Sequence, residues 1–300
     1  MTKHFIDLDD HSFQDLQGII DNAIALKKSH QSGEINESLK NKTLAMIFDK
    51  SSTRTRVSFE AGMTQLGGHS LFLSDKDIQI GRGEPITDSA IVIGSMVDAI
   101  MLRVSSHDDI MTFAEHARTP VINALSDQSH PCQMLADLMT FQEHRGPIKG
   151  KKVVWVGDGN NVCHTYMQAA EIFGFELIIS TPKGYEAAQD FVDKYQNNIS
   201  YCSNPVEACK GADLVVTDVW ASMGMESEQK ARELAFKDFQ VNQKMMSVAN
   251  EDALFMHCLP AHRGEEVSAD VIDGKQSVIW DEAENRLHAQ KALLLYLIND

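Results

Sequence analysis

Short apolar runs alternate with segments of helical period along almost the whole chain. Several of these runs are continuous stretches of Val, Ile and Leu, which is typical of strands covered on both faces. The alternation predicts parallel sheets built from right-handed βαβ units. The predicted strands are 43–48, 70–73, 99–103 and 120–123 in the first half, and 152–157, 176–180, 199–202, 213–217, 254–257 and 277–280 in the second half.

A short segment with two glycines and a proline, 145–150, interrupts the helical period directly before the strongest apolar run of the second half. We therefore predict an α/β protein with two doubly wound parallel-sheet domains, 1–145 and 146–300, joined by interdomain helices. One of these helices is expected over about 131–143. The last helix, from about 282 to the end, could pack on either domain, and we expect it to return to the first.

Charge and cysteine content narrow the class of protein. The 300 residues include 43 acidic and 27 basic side chains, and the net charge of −16 argues against nucleic acid as the main partner. No apolar run reaches the roughly 18 residues of a membrane span, and the polar, acidic start does not resemble a signal peptide. The five cysteines form no CxxC pair, which predicts neither a zinc site nor a disulfide framework. We expect a cytoplasmic protein without a membrane partner.

A cationic segment in this acidic chain reads Ser51-Ser52-Thr53-Arg54-Thr55-Arg56 and lies between the first strand and a helical pattern. A helix N-terminus carries unpaired N–H donors and partial positive charge, which suits a phosphate, and a guanidinium adds a planar fork of donors. Because Arg54 and Arg56 diverge by about 200° on a helix, we assign Arg54 to a ligand and Arg56 to structural pairing. Alone, the segment could be a solvated helix start with Ser/Thr capping.

Two further residues of the first half stand where ligands bind in open α/β sheets, at strand ends and helix starts. His130 precedes Pro131, which suits the first helical position, so the histidine would face the crevice. Arg103 ends a predicted strand and would point into the same crevice. Each residue alone fits a structural role better, as a capping histidine or as an arginine that reaches the surface.

The run Gly157-Asp158-Gly159-Asn160-Asn161 follows an apolar strand and resembles the dinucleotide-binding fingerprint. The match is incomplete, because Val162 takes the third glycine position and the next strand ends in Ser180-Thr181 rather than in an acidic residue. A tight strand-to-helix turn that exposes Asn161 is the more economical interpretation. A nicotinamide-dependent dehydrogenase remains the alternative from a different class.

Three other segments of the second half carry candidate chemistry. Asp218 ends a strand before the small-residue turn 221–224 and could hold an amino group, or could cap a helix. Cys258 follows a strand and could equally be a buried structural cysteine. Arg286 opens the last helix four residues after Glu282, a spacing that also fits a surface ion pair.

These segments, in this order and at these spacings, resemble the aspartate/ornithine carbamoyltransferase family over essentially the whole chain. The resemblance rests on Ser52-Thr53-Arg54-Thr55-Arg56, on His130-Pro131-Cys132-Gln133, on Asp218 with Ser222-Met223-Gly224, and on His257-Cys258-Leu259-Pro260. The first two match the family's carbamoyl phosphate motifs, and the last two match signatures of its ornithine branch. The resemblance implies a carbamoyltransferase of arginine metabolism that converts carbamoyl phosphate and L-ornithine to L-citrulline and phosphate, without a cofactor or metal.

The resemblance also implies a role for each matching residue. Those expected to bind carbamoyl phosphate are Ser52, Thr53, Arg54, Thr55, Gln79, Arg103, His130, Gln133, Cys258, Leu259 and Arg286. Those expected to bind ornithine are Asn161, Asp218, Ser222 and the backbone of Met223. Arg103, His130 and Cys258 are the catalytic candidates. Fixed donors such as the first two would stabilise negative charge that develops on the carbonyl oxygen, and no covalent enzyme intermediate is needed.

A homotrimer with active sites between subunits is a further implication of the resemblance. The segment 77–84 matches a family loop that reaches the neighbouring subunit's carbamoyl phosphate, and Gln79 is the residue expected there. Other members often carry histidine at this position.

The amine acceptor has alternatives within the family, namely aspartate, putrescine and an acylated ornithine. An aspartate site needs cations for a second carboxylate, but 218–224 offers Asp218 and no Lys or Arg. Putrescine lacks the carboxylate that Asn161 and Met223 are expected to bind, and 222–224 does not indicate space for an acyl group. A catalytically silent member is disfavoured because the expected polar residues are present.

Overall fold

The computed structural model describes residues 2–74, 78, 83–221 and 228–299. The chain divides into two compact units. The first comprises Met1–Met139 with Glu284–Asp300, and the second comprises Thr140–Ala283. Both divisions fall inside helices, α5 (Pro131–Arg145) and α12 (Ile279–Ile298), so each of these helices belongs to both units.

The first unit contains a four-stranded parallel sheet in the order β2-β1-β3-β4. Its strands are β1 (Thr43–Phe48), β2 (His69–Ser74), β3 (Ala99–Arg103) and β4 (Val121–Leu125). Besides the start of α5 and most of α12, its helices are α1 (Phe13–Gln31), α2 (Arg54–Gln65), α3 (Ile86–Gly94) and α4 (His107–His116), preceded by a 3-10 turn at Leu8–Asp10.

The core of the first unit lies around the central strands β1 and β3. Continuous apolar sequence in these strands is buried, as expected for strands covered on both faces. Ile47, Leu102 and Phe113 belong to one apolar cluster there. The chain passes from β1 to β2 on one side and returns to β3 on the other, so the order of the strands reverses between β1 and β3. Ligands of open α/β sheets bind at such a switch point, outside the carboxyl ends of the strands.

The second unit contains a five-stranded parallel sheet in the order β7-β6-β5-β8-β9. Its strands are β5 (Lys152–Val156), β6 (Glu176–Ser180), β7 (Ile199–Tyr201), β8 (Leu214–Thr217) and β9 (Leu254–His257). Its own helices are α6 (Asn161–Phe173), α7 (Gln189–Lys194), α8 (Pro205–Ala208), α9 (Gln229–Phe236), α10 (Gln243–Met246) and α11 (Ala269–Ile272). Here the strand order reverses between β5 and β8, which predicts a second ligand-binding edge.

The predicted fold class is confirmed, and the predicted strands agree with the structure to within two residues at each end, with one exception. The exception is 277–280. Ser277 forms a single bridge with Phe255, and Ile279 already begins α12, three residues before the predicted start. This segment is apolar because Ile279 packs in the core of the second unit as a helical residue; the segment does not form a strand. None of the helices formed by the described residues is long and apolar enough to cross a bilayer.

Candidate active site

The cationic segment forms the junction between β1 and α2 in the first unit. The helix begins at Arg54, and the Thr53 side chain accepts no hydrogen bond from the first turn. Ser52 and Arg54 are half-buried, and Thr53 is exposed. The first-turn N–H groups are therefore not capped by Thr53, and the positive end of the helix dipole favours an anion.

Thr55 joins two arginines that are far apart in the sequence. Its buried hydroxyl accepts hydrogen bonds from Arg103 Nη1 at 3.1 Å and from Arg286 Nη2 at 3.2 Å. Arg103 comes from the end of β3, and Arg286 comes from α12. A hydroxyl carries no charge, so these contacts leave the positive charge of both guanidinium groups in place. Such a pair matches the oxygens of a phosphate or a carbonyl.

Gln133 and His130 complete this group at the start of α5. The Gln133 amide oxygen accepts from Arg286 Nη1 at 2.5 Å, and its amide nitrogen donates to Asp137 Oδ1 at 2.8 Å. Burial holds the pKa of His130 well below its ordinary value, and the positive charges of Arg286 and Arg103 lower it further. A neutral imidazole can donate an N–H to a carbonyl oxygen without adding charge of its own. We call Thr55, Arg103, His130, Gln133 and Arg286 the arginine cluster.

Arg56 has the structural role predicted for it. Its Nε lies 3.1 Å from Glu60 Oε1, one helical turn away, and its guanidinium lies over the Phe72 ring at 3.7 Å from the centroid. These contacts confirm that Arg56 pairs within the protein. Gln79 lies outside the described residues.

In the second unit, Asp218 follows β8 and is held by neutral donors. Its Oδ2 accepts from Asn160 Nδ2 at 2.8 Å, and its Oδ1 accepts from the Val219 N–H at 2.8 Å and from the Cys258 thiol at 3.2 Å. The side chain is buried. These three donors carry no formal charge, so none of them neutralises a carboxylate at this position, which favours a cationic group. We call Asp218, Asn160 and Cys258 the aspartate cluster.

Asn160 is a site residue that the sequence analysis missed. Its Oδ1 caps α6 by accepting from the Val162 and Cys163 N–H groups at 3.0 and 3.1 Å, while its Nδ2 fixes Asp218. Asn is a preferred N-cap residue, so the cap could have been predicted, but not the second contact. Asn161, which we predicted instead, is the half-buried first residue of α6. Ser222 and Met223 lie outside the described residues.

The segment after β9 brings Cys258 to Asp218 through an unusual backbone. Leu259 has a φ of 58°, a region that branched side chains rarely adopt. Its N–H donates to Nδ1 of the buried His257 at 2.9 Å, and His257 Nε2 is 3.0 Å from Glu266 Oε1. Since Nδ1 accepts, the proton of a neutral His257 resides on Nε2 and points to the carboxylate.

The protein's own backbone occupies the space beside Gly159 in which a dinucleotide would have to bind. A Cβ on this residue would lie 2.2 Å from the Ala187 nitrogen and 2.4 Å from the Glu186 carbonyl carbon, and Gly159 N–H donates to the Tyr185 oxygen. The glycine therefore admits the protein's own backbone. The neighbouring Asp158 pairs with the buried Arg232 at 2.8 Å. The geometry disfavours the dehydrogenase alternative.

Fold and sites together define a class, an α/β protein with one unit prepared for an anion and the other for a cationic group. Two family models match the chain. The carbamoyl-P binding domain of aspartate/ornithine carbamoyltransferase matches residues 3–143, and the Asp/Orn binding domain matches residues 149–297. The chain belongs to the aspartate/ornithine carbamoyltransferase family.

Individual relatives agree with the family models. The ornithine carbamoyltransferase of Ruthia magnifica subsp. Calyptogena magnifica is 68% identical over 100% of both chains. The solved structure of ornithine carbamoyltransferase from Pyrococcus furiosus has a TM-score of 0.95 and 49% identity, with 99% of this chain and 97% of that chain covered. The structure from Burkholderia thailandensis has a TM-score of 0.92 and 54% identity, with 98% of each chain covered.

Proposed function

We propose that this chain transfers the carbamoyl group of carbamoyl phosphate to the side-chain amine of L-ornithine, giving L-citrulline and phosphate. The observation that carries the proposal is the opposite charge of the arginine and aspartate clusters. In the arginine cluster, Arg103 and Arg286 both donate to the neutral Thr55 hydroxyl. In the aspartate cluster, Asp218 accepts from the neutral Asn160 amide and Cys258 thiol. Relatives as similar as 68% identical bear the name of this activity.

The phosphate binds at the start of α2 in this proposal. Ser52, Thr53 and Thr55 supply hydroxyls and backbone N–H groups there, and Arg54 supplies a guanidinium. The helix dipole adds to the attraction. Gln79 is the residue that we propose to reach the phosphate of a neighbouring subunit.

The carbonyl group lies against the arginine cluster. Attack by the amine places negative charge on the carbonyl oxygen, which Arg103 and the neutral His130 stabilise by donation. Arg286 also donates to the Gln133 amide oxygen through Nη1, the nitrogen that does not contact Thr55. Its guanidinium group is therefore oriented before the substrate binds. A C–N bond forms and the C–O bond to the phosphate breaks. The phosphate departs with the bonding electrons, the proton that the attacking neutral amine releases passes to the departing phosphate, and no covalent enzyme intermediate is required.

Ornithine binds to the second unit. We assign Asp218 to the amino-acid end of ornithine, where its carboxylate attracts the α-ammonium group, together with Asn161, Ser222 and the Met223 backbone. Cys258 donates to Asp218, so we give its thiol a positioning and ionisation role beside the amine, not a nucleophilic one. Leu259 lines the carbamoyl phosphate beside it. The Asp218 carboxylate repels the side-chain carboxylate of aspartate, so it favours a cationic amino acid such as ornithine.

We propose that the enzyme is a cytoplasmic homotrimer of arginine metabolism with active sites between subunits. The first unit supports association because β2 is a terminal strand of its sheet and carries the exposed apolar residues Leu71 and Phe72. Val57 on α2, and Ile91 and Val92 on α3, are also exposed. Light scattering coupled to size exclusion tests the proposal, and a monomeric mass at micromolar concentration would contradict it.

An assay for the carbamoylated (ureido) product tests the activity. Carbamoyl phosphate is supplied with L-ornithine, L-aspartate, putrescine or N-acetyl-L-ornithine as separate acceptors, and the product from ornithine is citrulline. We expect product only with ornithine. Product with another acceptor would reassign the acceptor pocket, and the absence of product with all four would contradict carbamoyl transfer. A parallel titration with nicotinamide cofactors, followed by fluorescence, is expected to give no binding.

A further inference from the structure

The turn after β9 gathers a histidine and two carboxylates that the proposed reaction does not use. His262, Glu265 and Glu266 each offer one ligand atom, and the three atoms lie within 4.8 Å of one another. Asp218, His257 and Cys258 form a second such group, but it overlaps the aspartate cluster and belongs to the site already described.

Glu266 is the member of this group whose surroundings indicate that a ligand binds. The residue is completely buried, and its Oε1 accepts from the His262 N–H at 2.6 Å and from His257 Nε2 at 3.0 Å. Its Oε2 is also buried but has no hydrogen-bond partner among the described residues. A buried carboxylate with one oxygen unsatisfied is costly unless a positive charge approaches it.

The His262 ring lies beside this oxygen. Its Nδ1 is 3.9 Å from Glu266 Oε2 and 3.7 Å from Glu265 Oε2. Zinc ligands lie about 2.0–2.2 Å from the ion, so neighbouring ligand atoms around it are spaced by somewhat more than 3 Å. A small inward movement of these side chains reaches that spacing. About half of the His262 side chain is exposed, which leaves an open path for an ion.

The turn is held in this shape by contacts that do not involve the three ligand atoms. The Glu265 N–H donates to the His262 oxygen at 2.9 Å, and the Gly264 N–H donates to the Val267 oxygen at 2.8 Å. Gly264 has a φ of +95°, which favours glycine. Arg263 forms a two-point ion pair with Asp273, at 2.7 and 3.0 Å, so its positive charge is directed to another carboxylate.

We propose that His262, Glu265 and Glu266 form a binding site for a divalent transition-metal cation of the Zn²⁺ type. One imidazole and two carboxylates neutralise such an ion, and water completes its tetrahedral shell. The imidazole favours Zn²⁺ over Mg²⁺ or Ca²⁺, which prefer oxygen ligands. Through Glu266, the ion would fix His257 and hence the Leu259 backbone, so its role is structural.

Equilibrium dialysis of the metal-free, full-length protein against Zn²⁺ tests the site. Because Cys258 could bind zinc in the other group, we make the comparison in Cys258→Ser protein. That protein is expected to bind one Zn²⁺ per chain. Adding His262→Ala or Glu265→Gln should weaken Zn²⁺ binding by at least about tenfold, because even the loss of a residue that only orients a metal ligand lowers metal affinity by about that factor. His69→Ala, which removes an exposed histidine of β2, is the matched control and should leave the affinity unchanged.

The same proteins provide a second, thermodynamic measurement. Zn²⁺ should raise the Tm of Cys258→Ser protein and of its His69→Ala derivative, but not of the His262→Ala or Glu265→Gln derivatives. Both altered side chains are partly exposed, so circular dichroism should find all variants folded. The absence of Zn²⁺ binding to Cys258→Ser protein would overturn the proposal, as would an affinity that neither His262→Ala nor Glu265→Gln reduces.

Discussion

In the hydrogen bonds described above, neutral groups orient the charged side chains of the arginine cluster and of the aspartate cluster, and the two clusters carry opposite charges. In the first unit, a threonine hydroxyl and a glutamine amide fix two guanidinium groups; in the second, an asparagine amide, a thiol and a backbone N–H fix a carboxylate. Neutral partners orient a charged side chain without cancelling its charge. Each unit is thus prepared for a ligand of the opposite sign.

The two clusters also differ in how they are built. The arginine cluster combines residues from α2, β3, α5 and α12, so it depends on the return of the C-terminal helix to the first unit. The aspartate cluster comes from three strand-end loops of one sheet, at and beside the switch between β5 and β8. Substitutions in the first should affect the chemistry and carbamoyl phosphate, whereas those in the second should affect the amine.

The largest effect is expected from His130→Ala. Removing one fixed donor to a developing oxyanion typically lowers kcat by about 10²–10³. Steady-state kinetics with saturating substrates measure this change. His116→Ala, which removes a half-buried histidine of α4, is the control and should leave kcat unchanged. A His130→Ala enzyme with normal kcat would exclude this side chain from transition-state stabilisation.

Asp218→Asn should lower kcat/KM for ornithine by about 10- to 150-fold, because a charged contact worth about 1.5–3 kcal/mol is lost. Its effect on carbamoyl phosphate affinity, measured by calorimetry, should be within twofold (about 0.4 kcal/mol). Equal losses for both substrates would remove the distinction between the two clusters.

Arg54→Ala should weaken carbamoyl phosphate binding by about 1.5–3 kcal/mol. Its neighbour provides a matched control, since Arg56 pairs with Glu60 and Phe72. Arg56→Ala should therefore leave binding unchanged and reduce stability by at most about 1 kcal/mol. Calorimetric titration of both variants separates these effects, and equal affinities for the two proteins would place Arg54 outside the pocket.

The smallest expected effect concerns pH. The pKa of His130 is well below 6.5 in the folded protein because of burial and the charges of Arg286 and Arg103. The unfolded chain therefore binds a proton below about pH 6.5 that the folded protein does not bind, and the contribution of this group to stability falls as the pH decreases. The Tm should decrease less between pH 6.5 and 5.5 in His130→Gln protein than in wild type. An identical decrease would mean that His130 is protonated in the fold.

The sequence predicted the parallel architecture from local rules, and the same rules placed Arg103 and His130 at one crevice, whereas the family resemblance alone implied Gln133 and Arg286. Continuous apolar runs mark buried strands, and ligands bind where such strands end. The same rule failed at 277–280, where Ile279 serves the core of the second unit as a helical residue. Local pattern does not distinguish a short apolar strand from a buried helix start.

Contacts between distant segments were beyond the sequence analysis. The hydrogen bond from Arg286 to Thr55 spans 231 positions, and no local pattern reports it. Asn160 illustrates the same limit, because its cap is local but its bond to Asp218 spans 58 positions. The Glu186–Ala187 backbone above Gly159 explains why a glycine pattern that suggested a dinucleotide serves packing instead.

The central claim is that the carbamoyl group of carbamoyl phosphate, bound by the first unit, is transferred to the side-chain amine of ornithine, bound by the second. Nuclear magnetic resonance with carbamoyl phosphate isotopically labelled at its carbonyl carbon tests this most directly. We predict that the label moves to the ureido carbon of citrulline when L-ornithine is present, at a rate that Asp218→Asn reduces. Label that stays in carbamoyl phosphate, or that appears only in its spontaneous breakdown products, would contradict the account.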